Sequence, residues 1–148
     1  MMTANDYDRI NAVILQVPTN NQIRQIADLY RAQEWWQAGD DESPHLITRL
    51  ITGSHCFAAA LEGEDIVGMG RAISDGVSDA YIQDMTVRSD RRNHGIGRRI
   101  LKTILERLQA DGIQWIGLIA EPGSCRLYHR AGFREMPSWV PMLMNQKP

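Results

Sequence analysis

The chain has 148 residues, 43% of them hydrophobic and 23% charged, with a formal net charge of −2. That is ordinary composition for one packed domain spanning 1–148. It contains no apolar run of the roughly 18 residues a membrane helix needs, and MMTANDYDRI lacks the basic and apolar regions of a signal peptide, so a cytoplasmic location away from membranes is expected. Cys56 and Cys125 are far apart and belong to no C-x-x-C pair, which argues against a disulfide framework or a structural zinc site. His45, His55, His94 and His129 likewise lack metal-ligand spacing, so no metal is expected. The basic residues are not spread evenly. Arg88, Arg91, Arg92, Arg98, Arg99 and Lys102 form one local block, whose partner should be a small anion rather than nucleic acid.

In chain order, the β-branched run from Ile10 to Val17 reads as a strand, and Pro18-Thr19-Asn20 as a turn with a helix cap. Ile23, Ile26, Ala27, Leu29 and Tyr30 then keep helical spacing over about Asn21–Arg31. EWWQAGDDESP breaks that spacing and reads as a loop. HLITRLI predicts a short second helix from His45 to Ile51, ended by Gly53. Three strands follow as an antiparallel meander, HCFAAAL, IVGMGRAIS and AYIQDMTV, joined by EGED and DGVSD turns. From Ile96 to Gln109 the apolar positions Ile96, Ile100, Leu101, Ile104, Leu105 and Leu108 share one helical face, and Asp111-Gly112 closes the helix. QWIGLIA reads as a buried strand, CRLYHRA as a short helix, and SWVPMLM as a last strand with Pro141 at an edge or bulge.

The order is that of an α+β chain, and AYIQDMTV, the long helix and QWIGLIA form a β-α-β crossover. RRNHGIG, residues 91–97, lies at the start of that helix, where unpaired N–H groups and the positive end of the helix dipole favour an anion. Gly95 and Gly97 leave room for a phosphate to approach, and Arg92 can add a forked, charged donor. The chain has no G-x-x-x-x-G-K-[ST], and Ile100 occupies the place of a dinucleotide fingerprint's third glycine, which removes both common nucleotide motifs.

What remains, R-x-x-G-x-G over Arg92–Gly97 between YIQDMTV and RRILKTILERL, resembles the acyl-CoA motif of the GCN5-related N-acetyltransferase (GNAT) family, and CRLYHRAGF resembles its Y-x-x-x-G-F segment. The resemblance implies a mixed central sheet of about six to seven strands with helices on both faces. It also implies a cleft where YIQDMTV and QWIGLIA splay apart to admit acetyl-CoA as co-substrate. Pantetheine would bond to the backbone at Met85, Thr86 and Val87, and the pyrophosphate to the loop Arg92, Asn93, His94, Gly95, Ile96, Gly97 and Arg98. Tyr128 matches the family's tyrosine near the thioester sulfur and is the candidate general acid; the phenol's ordinary pKa of about 10 suits a departing thiolate of about 8 to 9. A strand amide near Met85 would polarise the carbonyl.

The acceptor side is read from fewer signals. The polyamine acetyltransferases' version of the strand carries a glutamate where this chain has Gln83, leaving Asp84 as the candidate catalytic carboxylate, and simple alternation puts Gln83 and Asp84 on opposite faces. Glu121 stands where many family members have asparagine. Trp35, Trp36, Gln83 and Glu121 are therefore the candidate acceptor contacts, and the apolar tail WVPMLM could cover the cleft. The expected reaction is acetyl transfer to a small primary amine by direct attack. Peptide N-termini or lysines are alternative acceptors, and a non-catalytic acyl-CoA sensor is the alternative role. The apolar last strand makes a homodimer a reasonable expectation.

Overall fold

The computed structural model describes residues 9–36, 39 and 45–144. Its elements are β1 (Ile10–Ile14), α1 (Asn20–Ala32), α2 (Leu46–Gly53), β2 (Cys56–Glu62), β3 (Asp65–Ser74), β4 (Asp79–Val87), a single 3-10 turn (Ser89–Arg91), α3 (Ile96–Ala110), β5 (Trp115–Leu118) and α4 (Cys125–Arg130). The five strands lie in one sheet in the order β1-β2-β3-β4-β5, antiparallel except for the β4–β5 pair. Much of the loop EWWQAGDDESP falls outside the described residues, as do residues 1–8 and 145–148.

Helices cover both faces. On one, Ile96, Ile100, Leu101, Ile104 and Leu108 of α3 are buried against Ala58, Ala60, Val67, Ala72 and Ile82 of the sheet. On the other, Ile26, Leu29 and Tyr30 of α1 and Ile47 and Ile51 of α2 pack on Phe57, Ala59, Ile66 and Met69. The run CFAAALE thus serves two cores, its odd and even positions facing opposite helices, as strand periodicity requires. Burial of each large side chain contributes about 1.5–3 kcal/mol, so the α3 stripe holds the crossover firmly. At the start of α1, Thr19 Oγ accepts from the Gln22 N–H at 3.2 Å and Gln22 Oε1 accepts from the Thr19 N–H at 2.9 Å, a reciprocal capping box.

Two expectations fail here. Among the described residues the sheet has five strands, not six to seven. The missing one is SWVPMLM: residues 138–144 join no ladder, and Trp139, Val140, Met142, Leu143 and Met144 are 70–90% exposed. Apolar composition favours a strand only when an edge accepts it, and Pro141 has no N–H to offer one. With that exposure the segment does not cover the cleft either.

Alternation also breaks in β4. The β3–β4 register runs Arg71↔Gln83 and then Met69↔Thr86, so Asp84 and Met85 together oppose the single residue Gly70. This is a β-bulge, and Asp84 has φ of +55°. A side chain on Gly70 would overlap the Met85 Sδ that the bulge turns over it. A glycine in β3 and the bulge in β4 are therefore one packing solution.

Candidate active site

Pairing between β4 and β5 covers only Asp79↔Trp115 through Ile82↔Leu118. β4 continues to Val87 without a β5 partner, while the chain beyond Leu118 turns away toward α4. The two parallel strands therefore part, and the β5-facing edge of Met85, Thr86 and Val87 lines the opening.

The loop leading from this edge into α3 is shaped by two left-handed residues, Asn93 with φ of +63° and Gly95 with φ of +77°. Gly95 is the N-cap of α3, and no side chain caps the helix. The first intrahelical bond at this end runs from the Arg99 N–H to the Gly95 carbonyl at 3.1 Å. The amides of Ile96, Gly97 and Arg98 precede it and have no turn of helix before them to pair with. A Cβ on Gly95 would project into open space, and one on Gly97 would sit at ordinary contact distance from Leu127 and Val87. A surface groove of about 590 Å³ opens here, lined by Asn93, His94, Gly95, Arg98, Arg99 and Lys102.

The cationic block divides by role. Arg88 pairs with Asp90 at 2.6 Å, and Arg91 with Asp90 at 2.9 Å and Glu62 at 3.0 Å, so these two brace the turn. Arg99 donates to the Ile10 carbonyl at 2.6 Å. Arg92 folds back, its Nε donating to the Val87 carbonyl at 3.0 Å, and so ties the loop to the end of β4. Arg98 stays exposed in the groove. The anion-facing charge is thus narrower than six basic residues suggested.

On the far side of the splay, α4 presents Tyr128, buried and edge-on to Phe133 with ring centroids 6.0 Å apart. Burial pushes its phenol above the usual tyrosine range, and the nearby charges of Glu121 and Cys125 push the same way. The shift favours the protonated phenol, the form a proton donor needs.

The candidate acceptor residues converge at the same mouth, though not as alternation predicted. Because of the bulge, Gln83 and Asp84 both reach Arg71: its Nε donates to Asp84 Oδ2 at 2.5 Å and its Nη2 to Gln83 Oε1 at 3.2 Å. Tyr30 Oη donates to the same Asp84 oxygen at 2.7 Å. The Tyr30 phenol is raised well above its ordinary value, first by burial and then by the Asp84 charge, so this donor too keeps its proton. Its ring stacks on Trp36 at 4.4 Å and meets Trp35 edge-on at 5.9 Å. Trp35 Nε1 in turn donates to Glu121 Oε1 at 3.3 Å. Neither Tyr30 nor Arg71 was a candidate site residue in the sequence, where Tyr30 read only as an apolar helix position. A lone arginine inside the apolar strand IVGMGRAIS was the available signal, since such a charge needs a partner.

A mixed sheet opened between two parallel strands, with bare amides at the crossover helix and a buried phenol opposite, has the parts of a group-transfer site for a phosphate-bearing donor. The description "Acetyltransferase (GNAT) family" matches residues 20–133. The chain belongs to that family of acetyltransferases. It is 32% identical over 75 residues to an uncharacterised N-acetyltransferase of Porphyra purpurea, the match covering 51% of this chain and 43% of that one. It is 32% identical over 74 residues to "Serotonin N-acetyltransferase 2, chloroplastic" of Oryza sativa subsp. japonica, covering 50% and 37%. The matches thus span less than half the length of these curated relatives. Among solved structures, a GNAT family protein of Streptococcus pneumoniae superposes with a TM-score of 0.74 at 20% identity, covering 93% of this chain and 99% of that one. An aminoglycoside acetyltransferase from an uncultured soil metagenomic sample gives 0.76 at 16% identity, covering 95% and 98%. These structures share the fold. Chloroplastic proteins occur among the relatives, and no helix among the described residues is long and apolar enough to cross a membrane.

Proposed function

We propose that this N-acetyltransferase moves an acetyl group from acetyl-CoA to the primary amine of a small molecule, by direct attack in a ternary complex. The observation that supports it most is the coincidence, at one splay, of the unpaired β4 edge, the bare amides of α3 and the buried Tyr128. In this reading the amides from Gly95 to Arg98 hold the pyrophosphate, with Arg92, Asn93 and His94 shaping the loop. The Met85–Val87 edge aligns pantetheine, and an amide near Met85 polarises the thioester carbonyl. The amine attacks that carbon, the C–S bond breaks, and Tyr128 protonates the leaving sulfur. Arg98 and Lys102, one turn apart on α3, supply charge for the nucleotide's outer phosphate.

The relative named for serotonin favours a small amine over a protein acceptor. The reading extends to a cytoplasmic enzyme acting as a homodimer through the exposed apolar segment 138–144, which light scattering across a concentration series would test. For the reaction itself, free-thiol release from acetyl-CoA should be followed with a panel of amines and peptides. Thiol release dependent on a small amine, with the matching amide as product, is the expected result. Saturable acetyl-CoA binding with no release for any acceptor would overturn catalysis and leave an acyl-CoA sensor.

A further inference from the structure

Acetyl transfer leaves one task open, the recognition of the acceptor's ammonium. Asp84 is the carboxylate on the cleft strand, but its Oδ2 already accepts from both Arg71 and Tyr30, and the two charged side chains of that ion pair are only 13% and 21% exposed. Its charge is matched within the protein. Arg71 is equally engaged, reaching Asp84, Gln83 and, at 3.4 Å, Ser54 Oγ. The group holds the bulge against α1, with the Asp84 and Arg71 charges set against each other.

Glu121 stands differently. It lies just beyond β5, exposed, and its main-chain carbonyl accepts from Ser124 N and Oγ at 3.0 and 2.7 Å, which fixes its backbone where α4 begins. Its side chain accepts a neutral indole N–H and pairs with no cation among the described residues. It is close enough to Tyr128 for its charge to be felt by that phenol. The half-buried ring of Trp35 stands beside it, and Tyr30 joins that ring to the half-buried Trp36.

We propose that Glu121 and Trp35 select the acceptor: Glu121 carries the ammonium of a primary monoamine, and the half-buried Trp35 and Trp36 rings, backed by the buried Tyr30, take its aromatic or apolar body. The proposal rests on the acetyl-transfer reading and names its substrate class. Indole faces favour both apolar bodies and a nearby cation. An amine bearing its own carboxylate meets the Glu121 charge, and Arg71, the arginine bound to Tyr30's partner Asp84, is already engaged by Asp84 and Gln83. In the reaction, Glu121 takes one proton from the ammonium and passes it to water. The nitrogen lone pair then forms the C–N bond, the C–S bond breaks, and sulfur takes the Tyr128 proton. Tyr128 regains a proton from the second one released by nitrogen, so the net products are amide, thiol and one proton.

The test compares phenethylamine, phenylalanine and spermidine with the wild type, E121Q and W35F. Wild type should prefer phenethylamine over the other two by roughly 10-fold or more in kcat/KM. E121Q should raise the phenethylamine KM roughly 10- to 100-fold, the loss of one charge-assisted contact, while the acetyl-CoA KM stays within about twofold. It should also erase the preference over phenylalanine and move the alkaline fall of kcat to lower pH, outcomes a folding defect would not produce. W35F keeps an aromatic ring but loses the N–H and the second ring of the indole, so its KM effect should be a few-fold. An unchanged amine KM in E121Q, or phenylalanine used as well as phenethylamine by the wild type, overturns the proposal. Thiol release with no amine at all would instead defeat the acetyl-transfer reading beneath it.

Discussion

The proposed donor half of the cleft is built from main chain, whereas the proposed acceptor half is built from side chains. At the donor half a strand edge without a partner, two left-handed residues and the first amides of α3 set the geometry, and side chains matter mainly by their absence. At the acceptor half, Arg71 from β3, Asp84 from β4, Tyr30 and Trp35 from α1 and the residues after it, and Glu121 beyond β5 are linked by hydrogen bonds and the Tyr30–Trp35 ring contact. The first kind of site depends on local conformation and carries over between sequences that share little else. The second depends on which particular side chains meet, and it is where one chain can differ from its relatives.

The sharpest way to separate the halves is to remove the group between them. Tyr128→Phe should lower kcat by about 10²- to 10⁴-fold, the range for loss of a general acid, with acetyl-CoA affinity nearly unchanged. A Phe variant with normal turnover would remove Tyr128 from the mechanism. In the wild type, kcat should hold to about pH 10, the ordinary phenol value, and fall only above it, because the folded protein raises the Tyr128 pKa. A fall below that value would contradict the burial argument.

If the donor half is main chain, a side chain in the wrong place should damage it alone. Gly95→Leu puts a branched residue at a φ of +77°. Strain there should cost about 1–2 kcal/mol of stability, and acetyl-CoA affinity should fall by roughly 100-fold, the loss of about 2.7 kcal/mol. Calorimetric titration beside a thermal unfolding curve would check both. Unchanged affinity would reject the loop as the phosphate site.

The acceptor half should respond in the opposite sense. Arg71→Met leaves the Asp84 charge partly buried without its partner, a loss of roughly 2–3 kcal/mol in urea unfolding, below the cost for a fully buried pair. Stability equal to wild type would show that the pair does not hold the bulge. Smallest of all is a difference between the thiols. Burial holds Cys56 up at about pKa 11, so a thiol reagent at pH 8 should label Cys125 first and Cys56 only on unfolding. Rapid double labelling of native protein would contradict this.

What could be read from sequence follows the same division. The α3 stripe, the helix cap within Pro18-Thr19-Asn20 and the glycines at the start of α3 are local patterns, and each appears in the structure where the sequence put it. Asp84 was found as a residue but not in its setting. Alternation assigns Gln83 and Asp84 to opposite faces, whereas an extra residue opposite Gly70 turns both toward Arg71. Only the register between two strands decides that, and no spacing within one strand records it. SWVPMLM failed for a related reason. Its composition suits a strand, yet a strand is a pairing, and no edge among the described residues takes it.

Donor binding turns on the junction between β4 and α3. Acetyl-CoA titrated into the wild type, into Gly95→Leu and into Gly97→Ala, whose added Cβ meets only Leu127 and Val87 at ordinary contact distance, tests it directly. Saturable one-to-one binding by the wild type and Gly97→Ala, with loss of binding in a Gly95→Leu protein that still unfolds cooperatively, is the predicted result. Equal binding by all three would contradict the account, as would no binding by the wild type.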